Sequence, residues 1–129
     1  EWILQNTRVL ASIDLHPDLF QPSTSVQTSV LVLERKTESE IAVETAAKRK
    51  NVYGVFMALA NHIGHDKRGN VLYVRDERGN EIIEERTEPV REVVDGRTVY
   101  RTQKTLRKVI DDNTEQIAQK FRKWLRERD

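Results

Sequence analysis

"VLASIDLHPDLFQPSTSVQTSVLVLERK", residues 9–36, holds two β-forming runs on either side of a polar, hydroxyl-rich connection, and its reading decides the architecture. Val9-Leu10-Ala11-Ser12-Ile13-Asp14-Leu15 is almost continuously apolar, the pattern of a strand covered on both faces. His16-Pro17-Asp18 ends it, because proline has no N–H to give a ladder. From Val26 to Leu33 a second run sets Val26, Thr28, Val30 and Val32 against Gln27, Ser29, Leu31 and Leu33, a period of two. The connection, residues 16–25, carries one large aromatic, Phe20, among hydroxyls. A bulky ring at the rim of so polar a loop calls for a reason.

Outward from this stretch, Glu1 to Asn6 reads as the last turns of a helix whose beginning is missing, with Asn6 as its C-cap, so the chain is expected to be a piece of something longer. Thr37-Glu38-Ser39-Glu40 is a capped start for a short helix over 37–50, with Ile41, Ala42, Thr45 and Ala46 as a weak apolar stripe. Val52 to Leu59 is apolar enough for a third buried strand, with a helical turn over Met57–His62 as the alternative. Residues 70–103 carry hairpin chemistry, and Asp95-Gly96 is the clearest two-residue turn. After Asp111-Asp112-Asn113-Thr114, Ile117, Phe121, Trp124 and Leu125 recur at helical spacing, with Lys and Arg gathering toward the C-terminal end. No internal repeat stands out.

Composition narrows the function classes. At 129 residues, one compact unit with a core of its own is the default, and 37% apolar content speaks against disorder. The net charge of +1 hides an asymmetry: residues 1–46 sum to −4 and residues 47–129 to +5. A basic C-terminal part favours an anionic partner, or is simply a solvated surface. With no cysteine, disulfide scaffolds and Cys-ligated zinc are excluded. No apolar run approaches the roughly 18 residues of a membrane span, and no signal-peptide pattern opens the chain.

Chemistry-bearing constellations are sparse. The five glycines are scattered singly, which leaves no phosphate-cradling loop. His62, His65 and Asp66 lack the spacing of a zinc signature, and a hydrogen-bonded loop accounts for them. His16 has no nucleophile near it in sequence. Glu81, Glu84, Glu85 and Glu88 alternate with arginine as a solvated charge face does. Arg122, Lys123, Arg126 and Arg128 suit phosphates and the helix dipole equally.

"HPDLFQPSTSVQTSVLVLERK", residues 16–36, resembles a segment of the adenine-specific DNA methyltransferase subunit of type I restriction-modification systems, in which a strand and an acidic, proline-containing turn lead to Phe-x-Pro-Ser-Thr and a second strand. "VFMALANHIGHDKRGNVLY", residues 55–73, looks like the following stretch of that family, and the last helix is similar to the end of its catalytic domain. The likeness implies an α/β fold. Residues 8–15 and 26–34 would be the last two strands of a Rossmann-like S-adenosylmethionine-dependent methyltransferase sheet, followed by β-hairpins and a C-terminal helix. Residues 1–62 would end the catalytic domain, and 63–129 would form the hairpin segment and helix.

The resemblance implies an activity as well: transfer of a methyl group from S-adenosylmethionine to the exocyclic amino group of adenine in duplex DNA, in the cytoplasm, beside DNA-recognition and restriction subunits. Phe20 would stack on the flipped adenine, and Gln21, Ser23, Thr24 and Thr28 would contact the neighbouring phosphate or ribose. This stretch lacks the family's glycine-containing cofactor loop and its Asn-Pro-Pro-aromatic motif, and it reads Ser25-Val26-Gln27 where many relatives carry Gly and Lys. Cofactor-binding and catalytic residues are therefore expected upstream of this chain, which alone would be inactive. A non-catalytic module that docks on DNA or on another subunit is the rival reading. An open strand edge would favour self-association.

Overall fold

The computed structural model describes residues 1–128; the final residue of the expected second segment, Asp129, lies outside them. The chain is a mixed α/β structure with a three-stranded sheet, a separate two-stranded ribbon and a C-terminal helix. Helix α1 (Trp2–Asn6) leads into β1 (Thr7–Leu15), which β2 (Ser29–Arg35) follows antiparallel. After α2 (Glu38–Ala47), β3 (Phe56–Ala60) returns parallel to β1 on its other side, so the sheet order is β2-β1-β3. Then come the ribbon strands β4 (Ile83–Val94) and β5 (Arg97–Lys108), and helix α3 (Thr114–Glu127).

Strand alternation gives the sheet two unlike faces. Phe56, Ala58 and Ala60 stand beside Ala11, Ile13 and Leu15 on one face. Helix α3 covers it: Phe56 meets Phe121 and Trp124 with ring centroids 5.4 and 6.1 Å apart, at tilts of 50° and 51°. Such offset aromatic contacts add to burial the attraction of ring edges for ring faces. The start of α3 is pinned in turn, since the Asn113 side chain donates to the Leu59 carbonyl and to Asn61 Oδ1. The other face presents Leu31 and Ser29 beside Ser12 and Asp14, and these beside Met57 and Leu59. Leu31, Met57 and Leu59 are exposed there, so neither β1 nor β3 is covered on both sides, contrary to the sequence pattern. Continuous apolar content cannot tell one covered face from two.

Pairing starts later than the apolar run. β2 begins at Ser29, opposite Asp14, and not at Val26, which is exposed and donates its N–H to Thr24 Oγ1. The stretch before Phe56 forms no strand, and Val52 is fully exposed. In β1 the register shifts between Val9 and Ala11, a bulge at the buried Leu10, and the Val9 N–H donates to the Tyr53 hydroxyl at 3.2 Å. Among the described residues the buried hydrophobics are only Leu10, Ala11, Ala60 and Ile117, a smaller core than the chain length predicts.

Helix α2 starts as the sequence reads, with a capping box in which Thr37 accepts from the Glu40 N–H and Glu40 from the Thr37 N–H. Its apolar stripe is mostly exposed, and polar links hold it instead. Lys36, only 4% exposed, donates to Glu44 at 2.7 Å and to the Leu4 carbonyl at 3.0 Å, joining α1, β2 and α2 at one ammonium group. Asn6 is the last residue of α1, and its side chain donates to the Trp2 carbonyl.

These links bear on acid stability. The hydrogen bond from Lys36 is the main reason the Glu44 carboxyl lies below its ordinary pKa. The Asn70 side chain does the same for Asp66, and Lys108 for Glu81. Each group holds a proton less readily folded than unfolded, so its contribution is complete above the ordinary carboxylate range and is lost as pH falls through the lowered value. The thermal midpoint is expected to be nearly level from pH 8 to 6 and to fall steeply below about pH 4, with Glu44→Gln lowering the plateau and flattening the fall. Circular dichroism melts across pH check this; an unchanged slope in the variant would remove Glu44 from the account.

Between sheet and ribbon runs a narrow stalk. Residues 63–65, 71–75 and 81–82 lie alongside 109–112 through alternating bonds such as Gly64 N–H to Asp111 O, Asp111 N–H to Leu72 O and Val74 N–H to Val109 O. Two turns of one design sit on it. Asp66-Lys67-Arg68-Gly69-Asn70 and Asp76-Glu77-Arg78-Gly79-Asn80 each fold so that the Asp carboxylate accepts the amides two and four residues on, with glycine at φ +84° and +83°. This is a short Asp-x-Arg-Gly-Asn repeat, ten residues apart, that the sequence reading passes over.

Candidate nucleotide-holding loop

Parallel pairing brings the carboxyl ends of β1 and β3 to one edge of the sheet, and the connection 16–28 leaves from that edge. Three backbone bonds fix its base: His16 N–H to the Ala60 carbonyl at 3.1 Å, Leu15 N–H to the Thr28 carbonyl at 2.9 Å, and Leu19 N–H to the His16 carbonyl at 3.0 Å. His16 is used locally. Its Nδ1 accepts from the Asp18 N–H at 3.0 Å, as suits a turn histidine. Further out, Gln21 N–H donates to the Asp18 carbonyl and Thr24 N–H to the Phe20 carbonyl, so Phe20 opens a tight turn that contains a cis Gln21–Pro22 bond.

Phe20 stands 46% exposed on this turn. Gln21 is half-buried, while Ser23 and Thr24 are exposed. Thr28 lies at the foot of the loop, its Oγ1 shielded from solvent and without a hydrogen-bond partner among the described residues. The five side chains thus share one connection, with the ring and two hydroxyls outward and Thr28 at the base. Beside the same sheet edge, on the open face, Ser12, Asp14, Met57, Ala58 and Leu59 line a hollow of about 360 Å³. Asp14 Oδ1 accepts from the Ser29 hydroxyl at 2.6 Å there. Reading Asp14 only as part of a strand misses this; its one signal is a carboxylate three residues before a proline.

The other candidates go to structural uses. His62 Nδ1 lies 3.1 Å from Asp111 Oδ2, and His65 Nδ1 lies 2.8 Å from the Asp66 carbonyl, so the two rings serve separate partners. Among the described residues no three His, Cys, Asp or Glu side chains converge on one point. Glu81 pairs with Lys108 and Arg75, Glu85 with Lys104 and Glu88 with Arg107, which is the solvated charge face the alternation suggests. Arg128 reaches Glu34 at 3.1 Å and lies over Trp124, so the end of α3 spends that charge internally.

No described helix is long and apolar enough to cross a membrane. No family model, curated protein or solved structure matches this chain.

Proposed function

We propose that this chain forms the substrate-holding end of an adenine-specific DNA methyltransferase of the type I restriction-modification kind, with Phe20 stacking on an adenine turned out of the duplex. The placement of Phe20 carries this reading: a half-exposed ring on a loop that leaves the carboxyl ends of two parallel strands. Open α/β sheets bind their ligands outside those ends. The exocyclic amino group of adenine is inaccessible inside a stacked pair, so chemistry on it requires extrusion of the base and a surface to hold it. An aromatic face supplies about 1–3 kcal/mol per base without charge. Gln21, Ser23, Thr24 and Thr28 would contact the phosphate or ribose of the extruded nucleotide.

S-adenosylmethionine, the methyl donor of such an enzyme, does not fit the residues present. β1 ends in His16-Pro17, with no glycine turn at its carboxyl end, and the chain's glycines lie apart on the stalk, the ribbon turn and the approach to β3. We assign cofactor binding and catalysis to polypeptide outside this chain, and to this chain the holding of the base. Duplex DNA, a DNA-recognition subunit and a restriction subunit in the cytoplasm are the partners this function entails. The non-catalytic docking reading draws on the free-standing ribbon, and it predicts no dependence on Phe20.

Calorimetric titration with S-adenosylmethionine tests the assignment. The chain alone is expected to give no binding heat, and the chain mixed with an upstream segment that carries a glycine loop and an Asn-Pro-Pro-aromatic motif is expected to bind. Tight binding by the chain alone would place the cofactor here and overturn this division of labour.

A further inference from the structure

The β4–β5 ribbon has no second layer, yet its chemistry is sorted between its two faces. Asp95 and Gly96 turn it at φ 50° and 74°, the mirror-type turn of a two-residue hairpin, so Val94 and Arg97 form the first hydrogen-bonded pair. Counting back along the ladder makes Pro89–Thr102 a pair of the other kind, with the Pro89 nitrogen turned to the outer edge. Proline blunts that edge, and Arg97, Arg101, Lys104, Arg107 and Lys108 crowd the strand at the other. With both edges guarded against a further strand, the faces are left to meet a partner.

The faces differ. One carries Glu84, Glu88 and Glu92, and the ion pairs Arg101–Glu92 at 3.3 Å and Arg107–Glu88 at 2.9 Å close over it. Glu88, Val90, Glu92 and Thr105 are half-buried there. On the opposite face, Arg91 lies directly across from Tyr100, Pro89 from Thr102, Thr87 from Lys104 and Val93 from Thr98. All eight are exposed, Tyr100 at 72%, and none is acidic. Arg91 has no ion-pair partner among the described residues. Lys104 has only the exposed Glu85, at 3.2 Å.

We propose that this Tyr100 face lies in the major groove of duplex DNA, with Arg91 and Lys104 toward phosphates and Tyr100 and the threonine hydroxyls toward base edges. The inference rests on the reading that duplex DNA is the substrate. Charge complementarity favours the face: beyond Glu85, which pairs with Lys104 at its root, it offers only cations, hydroxyls and apolar groups, whereas Glu88 and Glu92 stand along the opposite face. Size fits too: 12-residue strands span about 40 Å, and the major groove, about 12 Å wide, admits a two-stranded ribbon.

Two charge-matched double variants test it by fluorescence anisotropy of the chain with a labelled mixed-sequence duplex of about 20 base pairs, two turns of helix. Arg91→Gln with Lys104→Gln is expected to weaken binding about tenfold and to lower the salt slope by about 2. Arg86→Gln with Arg97→Gln, which removes equal charge from the opposite face, is expected to change affinity less than about twofold. The unpaired strand of the duplex is expected to bind more weakly than the duplex. Equal losses from both pairs, equal affinity for the single strand, or no duplex binding by the chain overturns the proposal. Unchanged binding in both variants would put the duplex contacts elsewhere on the chain and overturn it too. The measurement needs no methyl transfer, so a ribbon that fails to bind and a loop that fails to support methylation are separate results.

Discussion

Phe20→Ala is expected, under the proposed function, to lower kcat/KM for methyl transfer to adenine by about 10- to 100-fold in the complete enzyme, the loss of one base-stacking surface worth roughly 1–3 kcal/mol. The ring is half-exposed and the loop is anchored by backbone bonds at its base, so the thermal midpoint should stay where it is. Phe20→Trp keeps a π-face and should retain most of the activity, whereas Phe20→Leu keeps bulk without one and should resemble Ala. A duplex with 2-aminopurine at the target position gives the direct readout: fluorescence of the extruded base is quenched on the ring and brightens in Phe20→Ala. Full activity in the Ala variant would reduce Phe20 to a plug over the strand ends and hand the function to the docking reading.

Gly64→Ala is expected to produce the largest loss of stability among the glycine-to-alanine changes in this chain, about 2–5 kcal/mol. Gly64 sits at φ +82°, where a side chain costs about 1–2 kcal/mol. A Cβ there would also lie 2.9 Å from Ile110 Cγ2 and 3.5 Å from Asp112 Cβ, a second cost of about 1–3 kcal/mol for overpacking. The Gly64 N–H donates to the Asp111 carbonyl and its carbonyl accepts from the Leu72 N–H, so the backbone is held in place and the half-exposed Ile110 side chain is the part that must give way. Gly79→Ala is the comparison. Its φ is +83° but nothing lies within 4 Å, so only the backbone cost remains. Urea unfolding of both variants measures the difference, and equal losses would show that the contact with Ile110 relaxes freely.

What the sequence made legible, and what it hid, follows from the range of the interactions. The capping box of α2, the Asp95-Gly96 turn and the periodicity of α3 depend on residues a few positions apart, and all three appear where local chemistry puts them. The start of β2 depends on Asp14 meeting Ser29 across a loop, and no property of Val26 announces that it stays outside. The open face of the sheet is hidden for the same reason: Met57 and Leu59 look like core residues until the layer that would cover them is sought in space. In the candidate site, the loop was readable from its proline, hydroxyls and single ring. The hollow on the open face of the sheet was not, because Ser12 and Asp14 come from one strand and Met57 and Leu59 from another. Gly64 belongs to this hidden group, since its crowding comes from residues 46 and 48 positions away.

The stalk has a mechanical consequence. A ribbon about 40 Å long, held among the described residues only at its root, is a lever: a tilt of about 10° at that root carries the Asp95-Gly96 tip sideways by about 7 Å, roughly two base-pair steps of a DNA helix. Small changes in packing around Ile110 are therefore multiplied at the far end. The packing at the root sets the position of the tip more strongly than any residue at the tip itself.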